Sequence, residues 1–320
     1  MGIYFWQDQQ YLLMQRLIEN NKLPHALLFL GEQGLAKSEF AMHLAKDLLC
    51  YKSQKACGSC GSCLLWQQDW HPDCFHHPEE DTSIKIDSIH NLIEFLQQTS
   101  QQGAYKVAIL QNINTLTESA ANALLKTLEE PLGESVILMT ATNSTNLLPT
   151  IVSRCQKVTF MKPDFASTVD WIKQQGEDFG KFSNQQYELA YELYGTPLTI
   201  QSNLQDKMSQ HVGLIECLLQ AYDPIKLAQE YQQIPVEIII RILEVLITDL
   251  VKLKMQGGDY ISLKSYKTAL SDFANKIELS NLFTLREKVF HILELLQSKI
   301  QLNKLLLLEN LFITWQTLIS

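Results

Sequence analysis

Long apolar runs are missing from this chain of 320 residues. Its apolar stretches are interrupted within about a dozen residues, short of the roughly 20 that cross a bilayer as a helix. No segment therefore reads as a membrane span. The first residues, Met1-Gly2-Ile3-Tyr4-Phe5-Trp6-Gln7, lack the basic region and apolar core of a secretory signal. Trp6 stands where a myristoylation pattern beginning at Gly2 needs Ser or Thr. These absences set the expected location as the cytoplasm. Internal repeats and low-complexity tracts are also lacking, and glycine and proline are sparse, at 13 and 9, so the composition is that of an ordinary globular protein. Basic charge is in deficit, with 26 Lys and Arg against 35 Asp and Glu and a net charge of −9. The molecule as a whole is no general polyanion binder. Nucleic-acid contact would have to be local or shared with a more basic partner.

What is present is an alternation. Ala26–Leu30 is a short apolar run ending at Gly31, as expected for a buried strand. Residues 38–49 carry Phe40, Ala41, Leu44, Ala45 and Leu48 on one helical face. Further strands are expected at 106–110, 135–140 and 158–160, and a short extended segment at 84–87. Helices are expected at 8–22, 88–100 and 117–130, the last stopped by Pro131, with a short one near Ser153. This order predicts a parallel α/β sheet with both faces covered. Beyond Pro163 the pattern becomes helical. Short helices over 165–203 are broken at Gly176 and at Gly195-Thr196-Pro197. An all-helical bundle follows, with amphipathic 238–255 and 282–296 and a nearly continuous apolar end, Leu305–Leu311. The predicted division is therefore 1–162, 163–205 and 206–320.

Four of the seven cysteines fall together, at Cys50, Cys57, Cys60 and Cys63. In a cytosolic chain such clustering points to a metal site and not to disulfides. The Cys-x₂-Cys-x₂-Cys core can wrap one tetrahedral Zn²⁺, and four thiolates close the shell, so the expected role is structural. An iron–sulfur cluster is the alternative. His71, Cys74, His76 and His77 lie nearby, but their spacing fits no common metal site, and a solvated loop is expected there.

Gly31-Glu32-Gln33-Gly34-Leu35-Ala36-Lys37-Ser38 reads as a phosphate-binding loop between strand and helix. In such loops backbone N–H groups cradle phosphates, Lys neutralises them and the hydroxyl serves Mg²⁺. Gly31, Lys37 and Ser38 match, with Gly34 inside the loop, but Ala36 replaces the second glycine. If that position needs a left-handed backbone, alanine costs about 1–2 kcal/mol. A nucleotidase also needs an acidic residue at the tip of a neighbouring strand to hold Mg²⁺ and orient water. At the end of Lys106–Leu110 this chain has Gln111-Asn112, and an amide carries no charge and is a poor base.

Three stretches together resemble one family. These are Ala121-Asn122-Ala123-Leu124-Leu125-Lys126-Thr127-Leu128-Glu129-Glu130-Pro131, the segment Ser153-Arg154-Cys155, and the Cys57/Cys60/Cys63 module. They are similar to the bacterial DNA polymerase III clamp-loader subunits, which are AAA+ proteins. Leu23-Pro24-His25-Ala26-Leu27-Leu28 resembles that family's entry into its first strand. The resemblance covers 1–160 by motif and the remainder by architecture. It implies an α/β P-loop AAA+ domain over 1–162 with a zinc module at 50–63, a small helical lid over 163–205 and an all-α collar over 206–320.

Within that family the motor (gamma/tau) subunit carries a complete loop, an Asp-Glu pair at the second strand tip and a nucleotide-sensing arginine in the lid. Here the matching positions hold Ala36, Gln111-Asn112 and Leu198. The resemblance thus implies the stator of the loader, without ATP turnover of its own and with ATP binding at Gly31, Gly34, Lys37 and Ser38 open to question. The alternative is a catalytically active gamma/tau-type ATPase with a diverged metal site. Arg154, by the same resemblance, is an arginine finger that reaches into a neighbouring subunit's ATP site, where its planar, permanently charged fork suits the γ-phosphate. Without that context it reads as a structural arginine paired with a local acid. The implied partners are the gamma/tau and delta subunits in a hetero-oligomeric ring, and through it the sliding clamp and primed DNA. Lys126 and loop lysines could face that DNA, though nothing in the sequence forms a basic stripe.

Overall fold

The computed structural model describes residues 2–68, 71–78, 83–102, 105–220, 222–255, 257–297 and 303–319, leaving aside the side chains of 205–207, 297, 318 and 319. The chain separates into two compact units, Met1–Pro163 and Asp164–Ser320.

In the first unit the elements run α1 (Asp8–Glu19), β1 (Ala26–Leu30), α2 (Lys37–Leu49), α3 (Gly61–Gln67), β2 (Cys74–His77), α4 (Ile86–Gln97), β3 (Lys106–Leu110), α5 (Glu118–Glu129), β4 (Ser135–Ala141), α6 (Pro149–Arg154) and β5 (Gln156–Thr159). The strands form one sheet in the order β2-β3-β4-β1-β5, and every pairing is parallel. Every residue of β3 and β4 is buried, which is why these segments read as unbroken apolar runs. Helix α2 lays the predicted face on the sheet. Its Phe40 meets Phe29 of β1 and Phe160 edge-on, with ring centroids 5.2 and 5.0 Å apart. Thr117 caps α5 by accepting the Ala120 N–H at 3.3 Å, and Pro131 follows its last turn, since proline has no N–H to extend a helix.

One expectation is corrected. The second sheet strand is Cys74–His77, in the stretch expected to be a solvated loop. Ile84 makes only an isolated bridge to Leu116. Four residues at a sheet edge need no apolar run, because only one side of the strand pairs and the register with Val107–Leu110 is supplied by β3. Sequence periodicity has nothing to register in so short a segment.

The second unit is helical: α7 (Phe165–Lys173), α8 (Asn184–Tyr194), α9 (Pro197–Leu218), α10 (Pro224–Tyr231), α11 (Val236–Lys254), α12 (Lys267–Lys276), α13 (Leu279–Gln297) and α14 (Lys304–Ile319). A single core runs from Val169 to Trp315, and α9 passes position 205 without a break. Among the described residues no helix is long and apolar enough to cross a membrane.

The junction of β1 with the phosphate-type loop is set by Gly31. A Cβ there would lie 2.7 Å from the Phe160 carbonyl oxygen, so the glycine is required by the close approach of the chain leaving β5, independently of any ligand. Gly31→Ala should destabilise the protein by about 1–3 kcal/mol through the backbone shift it forces, read as a lower urea midpoint. An unchanged midpoint would contradict this packing.

Candidate functional site

Ligands of parallel α/β sheets bind beyond the carboxyl ends of the strands, and there β1 gives way to Gly31–Ser38. Gly34 has φ 81°. Ala36, immediately before α2, has φ 57° and ψ 40°, so the position of the missing glycine does demand the left-handed region. The Lys37 ammonium donates to the Glu32 carbonyl at 2.8 Å and is mostly buried, so the cation sits within its own loop. Two N-terminal side chains brace this loop. The Trp6 indole donates to Leu35 O at 3.1 Å, and the Gln7 amide donates to Leu35 O and Ala36 O at 2.9 and 2.8 Å. Sequence reasoning gave these two residues no role, for they form no motif and their contacts lie 28 or 29 positions away.

At the tip of β3 the two amide residues have partners within the chain. Gln111 is buried, and its amide donates to His76 Nε2 on β2 at 3.0 Å. Burial, and then the neighbouring His77, push His76 below its ordinary value, which keeps the ring a neutral acceptor. Asn112 adopts φ 51° and ψ 57°, a conformation asparagine tolerates better than most residues. Its N–H donates to Thr140 Oγ1 at 2.9 Å, and its carbonyl accepts from Thr115 Oγ1 at 2.9 Å. One amide is thus tied to the sheet edge and the other turns the chain. Neither supplies a carboxylate for Mg²⁺ or a base for water.

Arg154 ends α6. Its guanidinium donates to the Thr150 carbonyl at 3.1 Å and pairs with Glu129 Oε1 at 2.5 Å, so the local acid anticipated for a structural arginine is the last residue of α5. The two side chains are 35% and 49% exposed. Such a pair contributes only about 0–1 kcal/mol, and the guanidinium can leave it at little cost. Ser153 bonds back to Thr150 O at 3.0 Å, and burial pushes the Cys155 thiol up to about 11, so neither is poised to react.

The Sγ atoms of Cys50, Cys57, Cys60 and Cys63 all lie within 4.8 Å of one another. Cys50 and Cys60 are separated by 3.9 Å and Cys57 and Cys63 by 4.0 Å, where a tetrahedron with metal–sulfur bonds of about 2.3 Å gives roughly 3.8 Å. The distances suit a single ion. Burial resists ionisation of Cys50, but the N–H groups of Cys57, Lys52 and Ser53 overcome it and lower its pKa. The Ser59 N–H and hydroxyl bring Cys57 down to about 6, whereas burial pushes Cys63 up to about 12. Four thiolates packed this closely need a cation to ionise together, and the donor set fits one. Among the described residues no other group of three or more His, Cys, Asp or Glu is arranged to hold a metal.

Comparison with known proteins adds the following. A family described as DNA polymerase III, delta subunit, matches residues 6–164, and its C-terminal counterpart matches 205–317. The DNA polymerase III subunit delta' of Pseudomonas aeruginosa is 29% identical over 99% of this chain and 98% of its own. That of Yersinia pestis is 28% identical over 100% and 97%. The Escherichia coli protein of the same name is 31% identical over 55% of this chain and 54% of its own. A DNA polymerase III gamma subunit-related protein from Thermotoga maritima superposes with a TM-score of 0.47 at 21% identity, over 97% of this chain and 100% of its own.

The strain at Ala36 yields a test. Ala36→Gly removes a cost of about 1–2 kcal/mol in the folded state and gives back about 0.4–1 kcal/mol through a freer unfolded chain. The net expectation is a gain of about 0.5–1 kcal/mol, read as a raised urea midpoint with an unchanged slope. A lowered midpoint would mean the loop relaxes around the alanine.

Proposed function

We infer the function from one premise, that this chain belongs to the family of bacterial DNA polymerase III delta-prime subunits. It serves in replication as a subunit of the clamp-loader complex. Our reading of its role there is that of a stator, which holds the geometry of an AAA+ ring with gamma/tau and delta subunits while ATP drives loading of the sliding clamp onto primed DNA. The single observation that carries this is a division of labour. The chain keeps an accessible arginine at the end of α6, while the positions where a hydrolytic site of its own would need carboxylates hold amides, Gln111 bonded through its side chain to His76 and Asn112 held in its turn by its backbone N–H on Thr140. An arginine that completes a neighbour's site and a loop that cannot finish its own chemistry belong together.

In this reading Arg154 rests on Glu129 in the free subunit and exchanges that carboxylate for a neighbour's γ-phosphate in the ring. The exchange is favourable because a half-exposed ion pair is weak, whereas a charge-assisted fork on phosphate in a closed interface is strong. Gly31, Gly34, Lys37 and Ser38 form a degenerate phosphate loop whose main duty is to hold the fold. Residues 163–205 act as lid and 206–320 as collar, the continuous α9 linking them. Leu198, at the lid position of the sensing arginine, adds no charge. The four cysteines would hold one structural Zn²⁺, which when bound neutralises the thiolates and cross-links the segment between α2 and β2.

The test is ATP hydrolysis by the loader reconstituted with clamp and primed DNA, with this chain alone as baseline. The isolated chain should be silent. Arg154→Ala should leave assembly and stability within about 1 kcal/mol of wild type, yet slow the one site it completes by about 10³-fold or more, so that total turnover falls by that site's share. Turnover by the isolated chain that survives the substitution would end the stator reading.

A further inference from the structure

The cysteine module has almost no core of its own. Residues 51–55 and 57–59 are exposed, and the local apolar cluster consists of Cys50, Cys60 and Cys63 with Ala56 against it. Burial therefore does not explain how the loop carrying Cys57 is held, and ordering a free loop costs about 1–2 kcal/mol per residue in backbone entropy. One polar arrangement beside the module holds that loop and a second holds α3, and neither belongs to the nucleotide-facing chemistry.

The first is Asp47, three residues before Cys50 on α2 and 3% exposed. Its Oδ1 accepts the Ala56 N–H at 2.8 Å, immediately before Cys57. Its Oδ2 accepts the Tyr11 hydroxyl at 2.9 Å and the Gln15 amide at 3.1 Å, and His43 Nε2 lies 3.9 Å away. Burial, and then the bond to Asp47, raise Tyr11 above its ordinary value, so the phenol stays a neutral donor. The carboxylate has no place in the thiol cluster. It joins α1, α2 and the loop that delivers Cys57.

The second is Ser62 with His71, both buried. A serine 2.7 Å from a histidine nitrogen invites a nucleophile reading, which the proton positions exclude. The Asp73 N–H donates to His71 Nδ1 at 3.1 Å, so the ring proton is on Nε2. That proton goes to Ser62 Oγ, whose own hydrogen goes to the Leu49 carbonyl at 2.5 Å. A histidine donating to the serine cannot act as its base. The relay instead clamps α3, which bears Cys63 and is capped by Cys60, onto the end of α2 beside Cys50. Asp73 anchors its far end by accepting the N–H groups of Gln101 and Gln102, both at 2.7 Å.

We propose that Asp47, Ser62 and His71 are positioning residues of a metal site whose ligands are the four cysteines. Asp47 sets the turn that presents Cys57, and the Ser62–His71 relay sets α3 so that Cys60 and Cys63 converge on Cys50. The proposal rests on the metal reading of the module. Outer partners of this kind are worth about 10–100-fold in metal affinity when removed.

The test uses the full chain and Zn²⁺ alone, with affinity read by competition against a chromogenic chelator and the thermal stability of the zinc-free forms measured alongside. Asp47→Ala and Ser62→Ala should each weaken zinc binding about 10–100-fold. Asp47→Asn, whose amide oxygen still accepts from Ala56, should recover most of the loss. Variants that lose zinc-free stability but bind zinc as tightly as wild type would overturn the proposal and reduce these residues to ordinary packing. Should Asp47→Ala not fold, Ser62→Ala decides by the same criterion. A wild-type chain that takes up no zinc would remove the metal reading itself, an outcome distinct from tight binding that ignores the substitutions.

Discussion

Parallel pairing of β1, with β4 on one side and β5 on the other, is the constraint on which the first unit depends. It places the end of β1 among buried neighbours, so the chain must leave the sheet through a turn with no room for a side chain at Gly31. It also lines up the ends of β1, β3 and β4 on one edge, which is where Gly31–Ser38 and Gln111-Asn112 lie. In a parallel sheet covered on both faces, connections return through helices, and those helices carry the remaining candidate groups. Lys37 opens α2, Cys50 follows it, and Arg154 closes α6. Shift the register of β1 and every one of these moves.

At the edge that carries the phosphate-type loop, the polar groups meet partners within the chain itself. The Lys37 ammonium donates to its own loop's carbonyl and the Gln111 amide to a neutral histidine, while Asn112 takes up a left-handed turn for which its side chain is well suited. Each of these residues has a local partner that explains it without a ligand. Arg154 differs in having a partner it can give up, since Glu129 is half exposed and the pair is held against water. On that contrast rests our proposal of an active role for the arginine and an architectural one for the loop.

The N-terminal segment binds the two ends of α2 into one body. Trp6 and Gln7 hold the loop before the helix, while Tyr11 and Gln15 hold Asp47 near its far end. A helix of 13 residues with one end strained at Ala36 and the other feeding a nearly coreless cysteine loop needs such a splint, because neither end is stabilised by burial alone. In the second unit a buried carboxylate does comparable work. Asp249 on α11 accepts the N–H groups of Ser262 and Leu263 at 2.9–3.0 Å and so fixes the chain entering α12.

Much of this was legible in the residues. Apolar runs marked β1, β3 and β4, because strands buried on both faces leave no other trace. The face of α2, the stop at Pro131 and the turn to helices after Pro163 followed from periodicity and proline chemistry. The cysteine spacing announced a possible ion, and Ala36 and Gln111-Asn112 marked where the loop and the strand tip depart from the full nucleotidase pattern. Strand β2 was not legible, since four residues with two histidines carry no period and acquire their conformation from β3. Nor were the bonds from Trp6, Gln7, Tyr11 and Gln15, which join positions 28 to 36 apart and depend on α1 lying along α2. The sequence by itself determined which segments must be buried and which side chains could carry charge or metal. Only the tertiary structure decided which polar groups meet, because a hydrogen bond depends on distance and direction across elements, and neither is written in the order of residues along one chain.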